Sequence, residues 1–328
     1  MKYIDMHCDT VLQLYRNRLQ GLPFGLYQND EHIDILKMQK GDCLLQNFAI
    51  FVHNKGETDA LAQFMRYYAF YEQMMDENEM YIGRVLKFDD IEKNRKAGKI
   101  SSLLTMEEGA PLKGDVEILR AVYRMGVRMV ALTWNYPNEI GYPNVMNLLP
   151  NGEEDFYTPN TTRGLTEKGL AVIHEMERLG MIIDVSHLSD RGFYDVLQHT
   201  TKPFVASHSD ARAVCPVVRN LTDDMIRKLG ERGGVSGINF CVMFLNDQDT
   251  AGRIEDAVRH IKHFVNVGGI GCVGMGSDFD GIRTNVELPN CSYMPRLADA
   301  LVKSGFSEDE VEQIFWGNVM RVYKEVLK

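Results

Sequence analysis

The sequence predicts an α/β protein of the (β/α)8 TIM-barrel type, with a long loop over the C-terminal face of the barrel. Three observations carry that expectation. Short apolar runs alternate with amphipathic helix patterns, with Gly marking the turns between them. There are roughly eight such runs, most followed by a helix, as a closed parallel barrel requires. The conspicuous histidines and carboxylates fall where those runs end, which is where a barrel carries its chemistry. No Gly-x-Gly-x-x-Gly follows the first run, so the competing doubly wound dinucleotide fold lacks its fingerprint.

Residues 3–6 read as the first strand and 44–52 as another. Residues 59–80 carry a stripe of Met and aromatic side chains, including Phe64, Phe70, Tyr71, Met74 and Met75, that suits a helix packed on the barrel. The stripe is wide enough to serve a subunit contact as well, which is the basis for expecting a homodimer. A strand over 100–105 precedes a helix over 115–125, stopped by Gly126 and followed by a strand over 127–133. Residues 135–163 contain Pro137, Pro143, Pro150 and Pro159 among several Asn, the composition of an irregular loop that would overhang the strand ends. Thr166 caps a helix that runs to Leu179 and stops at Gly180, before a strand over 181–186. Strands over 203–207, 235–240 and 271–277 complete the pattern, the last preceded by a helix over 253–267. A chain of 328 residues can enclose one elaborated barrel, so residues 1–328 are expected to form a single domain.

The composition is that of a globular protein, 45% hydrophobic and 25% charged. A net charge of -10 disfavours a nucleic-acid partner, which would need clustered Lys and Arg. Met1 leads directly into a strand without a basic stretch, apolar segment and cleavage site, and no apolar run is long enough for a bilayer. A cytoplasmic protein with no membrane partner is expected. The 6 cysteines are scattered without a Cys-x-x-Cys pair, which favours reduced thiols over a disulfide framework.

His7 and Asp9 leave one strand on the same side, since alternate residues of a strand point the same way, and that pair suits a divalent metal such as zinc. His187 and His208 each follow a Ser at the end of an apolar run. Glu107 and Glu108 end a strand together, and only one of them can face inward. The remaining histidines, His32, His53, His174, His199, His260 and His263, lie within helix patterns or turns or fit no ligand pattern, and are assigned to surface or core. Cys8 alternates away from its metal-ligating neighbours and reads as a small apolar residue.

Taken together, Asp5-Met6-His7-Cys8-Asp9, Glu108-Gly109-Ala110, Ile183-Asp184-Val185-Ser186-His187, Ser207-His208-Ser209, Arg219-Asn220 and Gly276-Ser277-Asp278-Phe279-Asp280-Gly281 resemble the membrane (renal) dipeptidase family, peptidase family M19. The resemblance implies a metal-dependent amidohydrolase-like barrel with two zinc ions that hydrolyses dipeptides and tolerates a D-residue at the C-terminal side. It implies that His7 and Asp9 hold one zinc, that His187 and His208 hold the other, and that Glu108 bridges them. It makes Arg219 the clamp for the substrate carboxylate and Asp278 the proton acceptor beside the nucleophilic water. Trp134 departs from the resemblance, which calls for a histidine there. Indole donates one hydrogen bond but carries no charge, so Trp134 is expected to contact substrate without supporting an oxyanion as strongly. Two alternatives stay open: a barrel hydrolase of another bond, such as a lactone, cyclic amide or phosphoester, or a catalytically weak metal-binding homologue.

Overall fold

The computed structural model describes residues 1–54, 59–247, 251–283 and 286–328. Its strands are β1 (Tyr3–Asp5), β2 (Cys43–Phe51), β3 (Ile82–Arg84), β4 (Ile100–Glu107), β5 (Val127–Ala131), β6 (Ile182–Asp184), β7 (Val205–Ala206), β8 (Val235–Ile238) and β9 (Val273–Met275). They pair in parallel in the order β2-β1-β9-β8-β7-β6-β5-β4, and β2 closes the ring by pairing with β4 from Leu45↔Ser101 to Phe51↔Glu107. The result is the expected (β/α)8 barrel. The short β3 was not anticipated; it pairs with Ile100, Ser101 and Ser102 at the start of β4, while the later residues of β4 pair with β5.

Alternation along the strands produces two apolar layers. Leu45, Leu103, Met129, Ile182, Val205 and Val235 share a cluster with Val319, Val322 and Tyr323 of the last helix, Asn318–Val326, which seals the lower end of the barrel. The neighbouring residues Leu104, Met106, Val130, Ile183 and Ala206 belong to the outer layer that packs on the surrounding helices. The helices Val116–Arg124, Glu167–Leu179 and Ile254–Gly268 lie where periodicity places them. Thr166 accepts from Gly169 N, and Gly180 ends its helix at φ 78°, a value only glycine adopts freely. The Met and aromatic stripe forms the helix Ala60–Glu77; Phe64, Phe70, Tyr71, Met74 and Met75 are buried on the barrel, and the Tyr71 hydroxyl reaches Ser102 Oγ at 2.8 Å.

Several strands end earlier than the apolar runs do. The residues just beyond them leave the sheet to present polar groups, as the positive φ of His187 (67°) and Asp278 (62°) shows. All 6 cysteines are free thiols. Among the described residues no helix is long and apolar enough to cross a membrane.

The loop after β5 does overhang the barrel mouth, and polar ties to its neighbours hold it there. Asn144 N donates to His187 O (2.9 Å), Asn144 Nδ2 donates to Asp190 and to Val218 O, and Val218 N donates to Phe156 O (2.8 Å). Arg212 adds a bidentate pair to Asp190. His260, on the helix Ile254–Gly268, fastens the loop after β7 from outside: Ala211 N donates to its Nδ1 (3.0 Å), so Nε2 carries the proton toward Leu245 O (3.0 Å) and the ring is neutral.

Burial pushes His260 down to about 4, against 6.5 when unfolded. The stability this contributes is complete above the unfolded value and is lost as pH falls toward about 4. The native chain should therefore lose about 2.5 kcal/mol more than a His260→Gln variant between pH 7 and 4.5, read by urea unfolding.

Candidate metal centre

Loops at the C-terminal ends of β1 and β9 are zipped together. Asp9 N donates to Phe279 O (2.9 Å), Thr10 Oγ1 donates to Asp280 Oδ2 (2.6 Å), and His32 N donates to Asp280 Oδ1 (2.6 Å). Asp5 accepts from Ser277 N (2.8 Å) and from Ser277 Oγ (2.6 Å), locking the two strand ends at one height. This brings His7 Nε2 to 3.6 Å from Asp9 Oδ2 and 3.9 Å from Asp278 Oδ1. Gly281 makes room for the paired carboxylates: a Cβ there would stand 2.1 Å from Asp9 Oδ2 and 2.7 Å from Asp278 Oδ1.

The carboxylate at the centre is Glu107, not Glu108. Its Oε2 lies 3.2 Å from His7 Nε2, and its Oε1 lies 3.0 Å from His187 Nε2 and 3.6 Å from His208 Nε2. The physical reason is strand phase. Glu107 follows Leu103 and Thr105 on the side of β4 that faces the barrel interior, whereas Glu108 follows Leu104 and Met106, the latter two in the outer layer. Glu108 is fully buried beside the loop after β5 and accepts from Asn138 Nδ2 (3.3 Å). The sequence expectation of an inward Glu108 is therefore corrected.

Hydrogen bonds fix the protonation of two imidazoles. Asp184 accepts from Ser186 N and Ser207 N (2.9 Å each) and from the Ser207 hydroxyl. That hydroxyl has spent its proton on Asp184, so at 2.7 Å it accepts from His208 Nδ1. His187 Nδ1 faces Asn135 Oδ1 at 2.9 Å, and Asn135 Nδ2 donates to Glu154 Oε2 (3.2 Å), so His187 also carries its proton on Nδ1. Both Nε2 atoms are then bare lone pairs, 3.0 Å apart, facing Glu107. His7 Nε2 and Asp9 Oδ1 are buried without a hydrogen-bond partner. Buried lone pairs and carboxylates gathered this closely match a cationic occupant. The donors His7, Glu107 and His208, and separately His7, Asp9 and Asp278, come close enough together to share an ion.

The charges respond to this crowding. Burial pushes Glu107 up, but the charge of His7 and the closeness of His187 and His208 outweigh it and hold the carboxyl well below its usual range. Burial, with Arg219 behind it, lowers His187 to about 3. Burial lifts Asp278 to about 7; His7 opposes this, and Asp9 and Glu107 add to it. Burial lifts Glu108 to about 8.

The centre forms the floor of a cavity of about 1250 Å3. Arg219, 3% exposed, stands in its wall beneath Phe244, whose ring centre is 5.4 Å from the guanidinium, and its Nε is without a partner. Trp134 lines the cavity too, its ring centre 6.0 Å from that of His187. Leu149, Glu153, Glu154, Phe156 and Tyr157 of the overhanging loop complete the rim. Reading the sequence set Glu107 aside in favour of Glu108 and missed Asn135 and the orienting role of Ser207. Asn239 was missed as well; it donates to Asp278 Oδ2 at 2.9 Å.

Comparison with known proteins agrees with this architecture. A model of the membrane dipeptidase family, peptidase family M19, matches residues 1–328. An uncharacterized dipeptidase of Schizosaccharomyces pombe is 31% identical over 99% of this chain and 80% of its own length. An uncharacterized Klebsiella pneumoniae protein from the pqqA 5' region is 37% identical over 72% of this chain and 86% of its own. Among solved structures, the metallopeptidase called dipeptidase AC superposes with a TM-score of 0.90 at 26% identity, covering 100% of this chain and 99% of that one. A Rhodobacter sphaeroides metallopeptidase, liganded with a phosphinate mimic of L-Ala-D-Ala, gives 0.89 at 25% identity, with 99% of each chain covered.

Glu108 allows a check on the buried carboxyl. Its folded value lies above the 4.5 of the unfolded chain, so the stability it gives is complete below 4.5 and is lost as pH rises through about 8. A Glu108→Gln variant escapes that loss. In urea unfolding of metal-free protein it should gain about 2 kcal/mol on the native chain between pH 5 and 7.

Proposed function

Since the chain belongs to the membrane dipeptidase family, peptidase family M19, and is a metal-dependent dipeptidase of that family, we propose that it works with two zinc ions held astride Glu107. The observation that carries this is the pair of bare Nε2 atoms turned toward a buried carboxylate. In this reading His7 and Asp9 would hold one ion, His187 and His208 would hold the other, and Glu107, in place of Glu108, would serve both. Three imidazoles with carboxylates form a donor set suited to zinc. Asp184 through Ser207, and Asn135 directly, orient the imidazoles, the supporting role such groups play around metal ligands.

When bound, the ions supply Lewis acidity to the scissile carbonyl and acidify water. The residues of the chain do the rest. Arg219, desolvated and with its Nε unused, pairs with the C-terminal carboxylate and measures where the peptide ends. Asp278, kept in place by Asn239, takes a proton from water and returns it to the leaving amine. A clamp that grips only the carboxylate leaves the chirality of its own residue weakly specified. Together with the L-Ala-D-Ala mimic bound by the R. sphaeroides relative, this supports acceptance of a D-residue at the C-terminal side. Trp134 contacts substrate as an apolar surface and leaves carbonyl polarisation to the ions.

Two sets of variants test the reading. Glu107→Gln should lose bound zinc by elemental analysis and at least about 100-fold in kcat/KM, while Glu108→Gln keeps its metal; the opposite pattern would return the bridging role to Glu108. Arg219→Ala should cost about 100-fold or more on Ala-Ala while leaving the already poor substrate Ala-Ala-amide unchanged. Equal losses on both would show that Arg219 does not read the carboxylate.

A further inference from the structure

The wall of the cavity across from Arg219 is aromatic. Phe51 and Trp134 line it, with ring centres 5.0 Å apart, and Leu12 adjoins them. His53 and Tyr136 back the indole at 5.3 and 5.5 Å and pack on each other at 5.5 Å. Trp134 is half-buried, so one part of the indole is held by these rings while another is open to the cavity.

The barrel places this wall opposite the clamp. Phe51 ends β2 and Trp134 follows β5, whereas Arg219 follows β7 and Phe244 follows β8. In the ring order β4 stands between β2 and β5, so Phe51 and Trp134 meet above the strand that lies across from β8, and β2 itself lies across from β7. A dipeptide whose carboxylate meets Arg219 and whose carbonyl lies over Glu107 therefore directs its N-terminal residue toward Trp134. Resting on the dipeptidase reading, we propose that Phe51, Trp134, His53 and Tyr136 form a subsite that selects an aromatic or large apolar side chain at the N-terminal position of the substrate. Phe51 and Trp134 offer ring faces to the cavity, and Glu154 nearby is engaged by Asn135. Transferring a Phe side chain from water to such a surface is worth about 10- to 100-fold in kcat/KM over Gly.

The test compares kcat/KM for Phe-Gly, Leu-Gly, Lys-Gly and Gly-Gly on zinc-loaded native protein, Trp134→Phe and Trp134→Ala. The subsite predicts that Phe-Gly leads Gly-Gly at least tenfold, that Trp134→Phe keeps the lead, and that Trp134→Ala reduces it to within about threefold. Equal native rates on Phe-Gly and Gly-Gly, a lead for Lys-Gly, or an unchanged lead in Trp134→Ala overturns the subsite and leaves the dipeptidase standing. A binding measurement separates the two claims if no dipeptide is cleaved. The chain has 2 tryptophans, so Trp316→Phe makes Trp134 the single indole. The uncleavable reduced-amide analogue of Phe-Gly should then change its fluorescence at a concentration at least tenfold lower than the Gly-Gly analogue. Absence of that difference overturns the subsite, whereas absence of turnover alone counts against the peptidase reading.

Discussion

The site depends on where two protons are. Asp184, by accepting from Ser207, obliges that hydroxyl to accept from His208, and Asn135 imposes the same tautomer on His187. Two imidazoles that would otherwise share a proton instead turn bare nitrogens on each other at 3.0 Å, with Glu107 beside them. Such an arrangement is unfavourable in an apolar interior unless positive charge enters it. The protein has in effect folded around a charge deficit. A divalent cation is the simplest object that fills it, and it favours the neutral imidazoles and ionised carboxylates already arranged there.

The barrel makes this placement possible. Parallel strands closed by β2 and β4 bring groups from β1, β4, β6, β7 and β9 to one rim, while the apolar interior below them, plugged by Tyr323, gives the rim a rigid base. Tyr323 and Asn47 satisfy each other inside that plug, so its polar atoms carry no unpaid desolvation. Above the rim, the loop after β5 supplies Asn135, Trp134 and Glu154 together, coupling the orientation of His187 to the wall that substrate meets.

Much of this was legible in the chain. His7, Asp9, His187, His208 and Asp278 all follow apolar runs, and the structure brings them to one rim because strand ends are where a barrel exposes polar groups. The choice between Glu107 and Glu108 was legible too, though by phase and not by neighbours. Ile100, Leu104 and Met106, interrupted only by Ser102, form the more apolar phase that faces the helices, which leaves Glu107 inside. Reasoning from the adjacent Gly-Ala pair gave the wrong glutamate. The roles of Asn135, Ser207 and Asn239 were not legible, because they arise from contacts across 23 to 52 positions of chain that no local pattern encodes. The short β3 escaped notice because three residues pairing with the start of β4 need no periodicity of their own.

The most direct test is a crystal structure of the zinc-loaded protein, with anomalous scattering recorded across the zinc edge. The account predicts two peaks flanking the Glu107 carboxylate, one within reach of His7 and Asp9 and the other of His187 and His208. A centre without zinc, or ions coordinated by Glu108 with Glu107 turned aside, would contradict it.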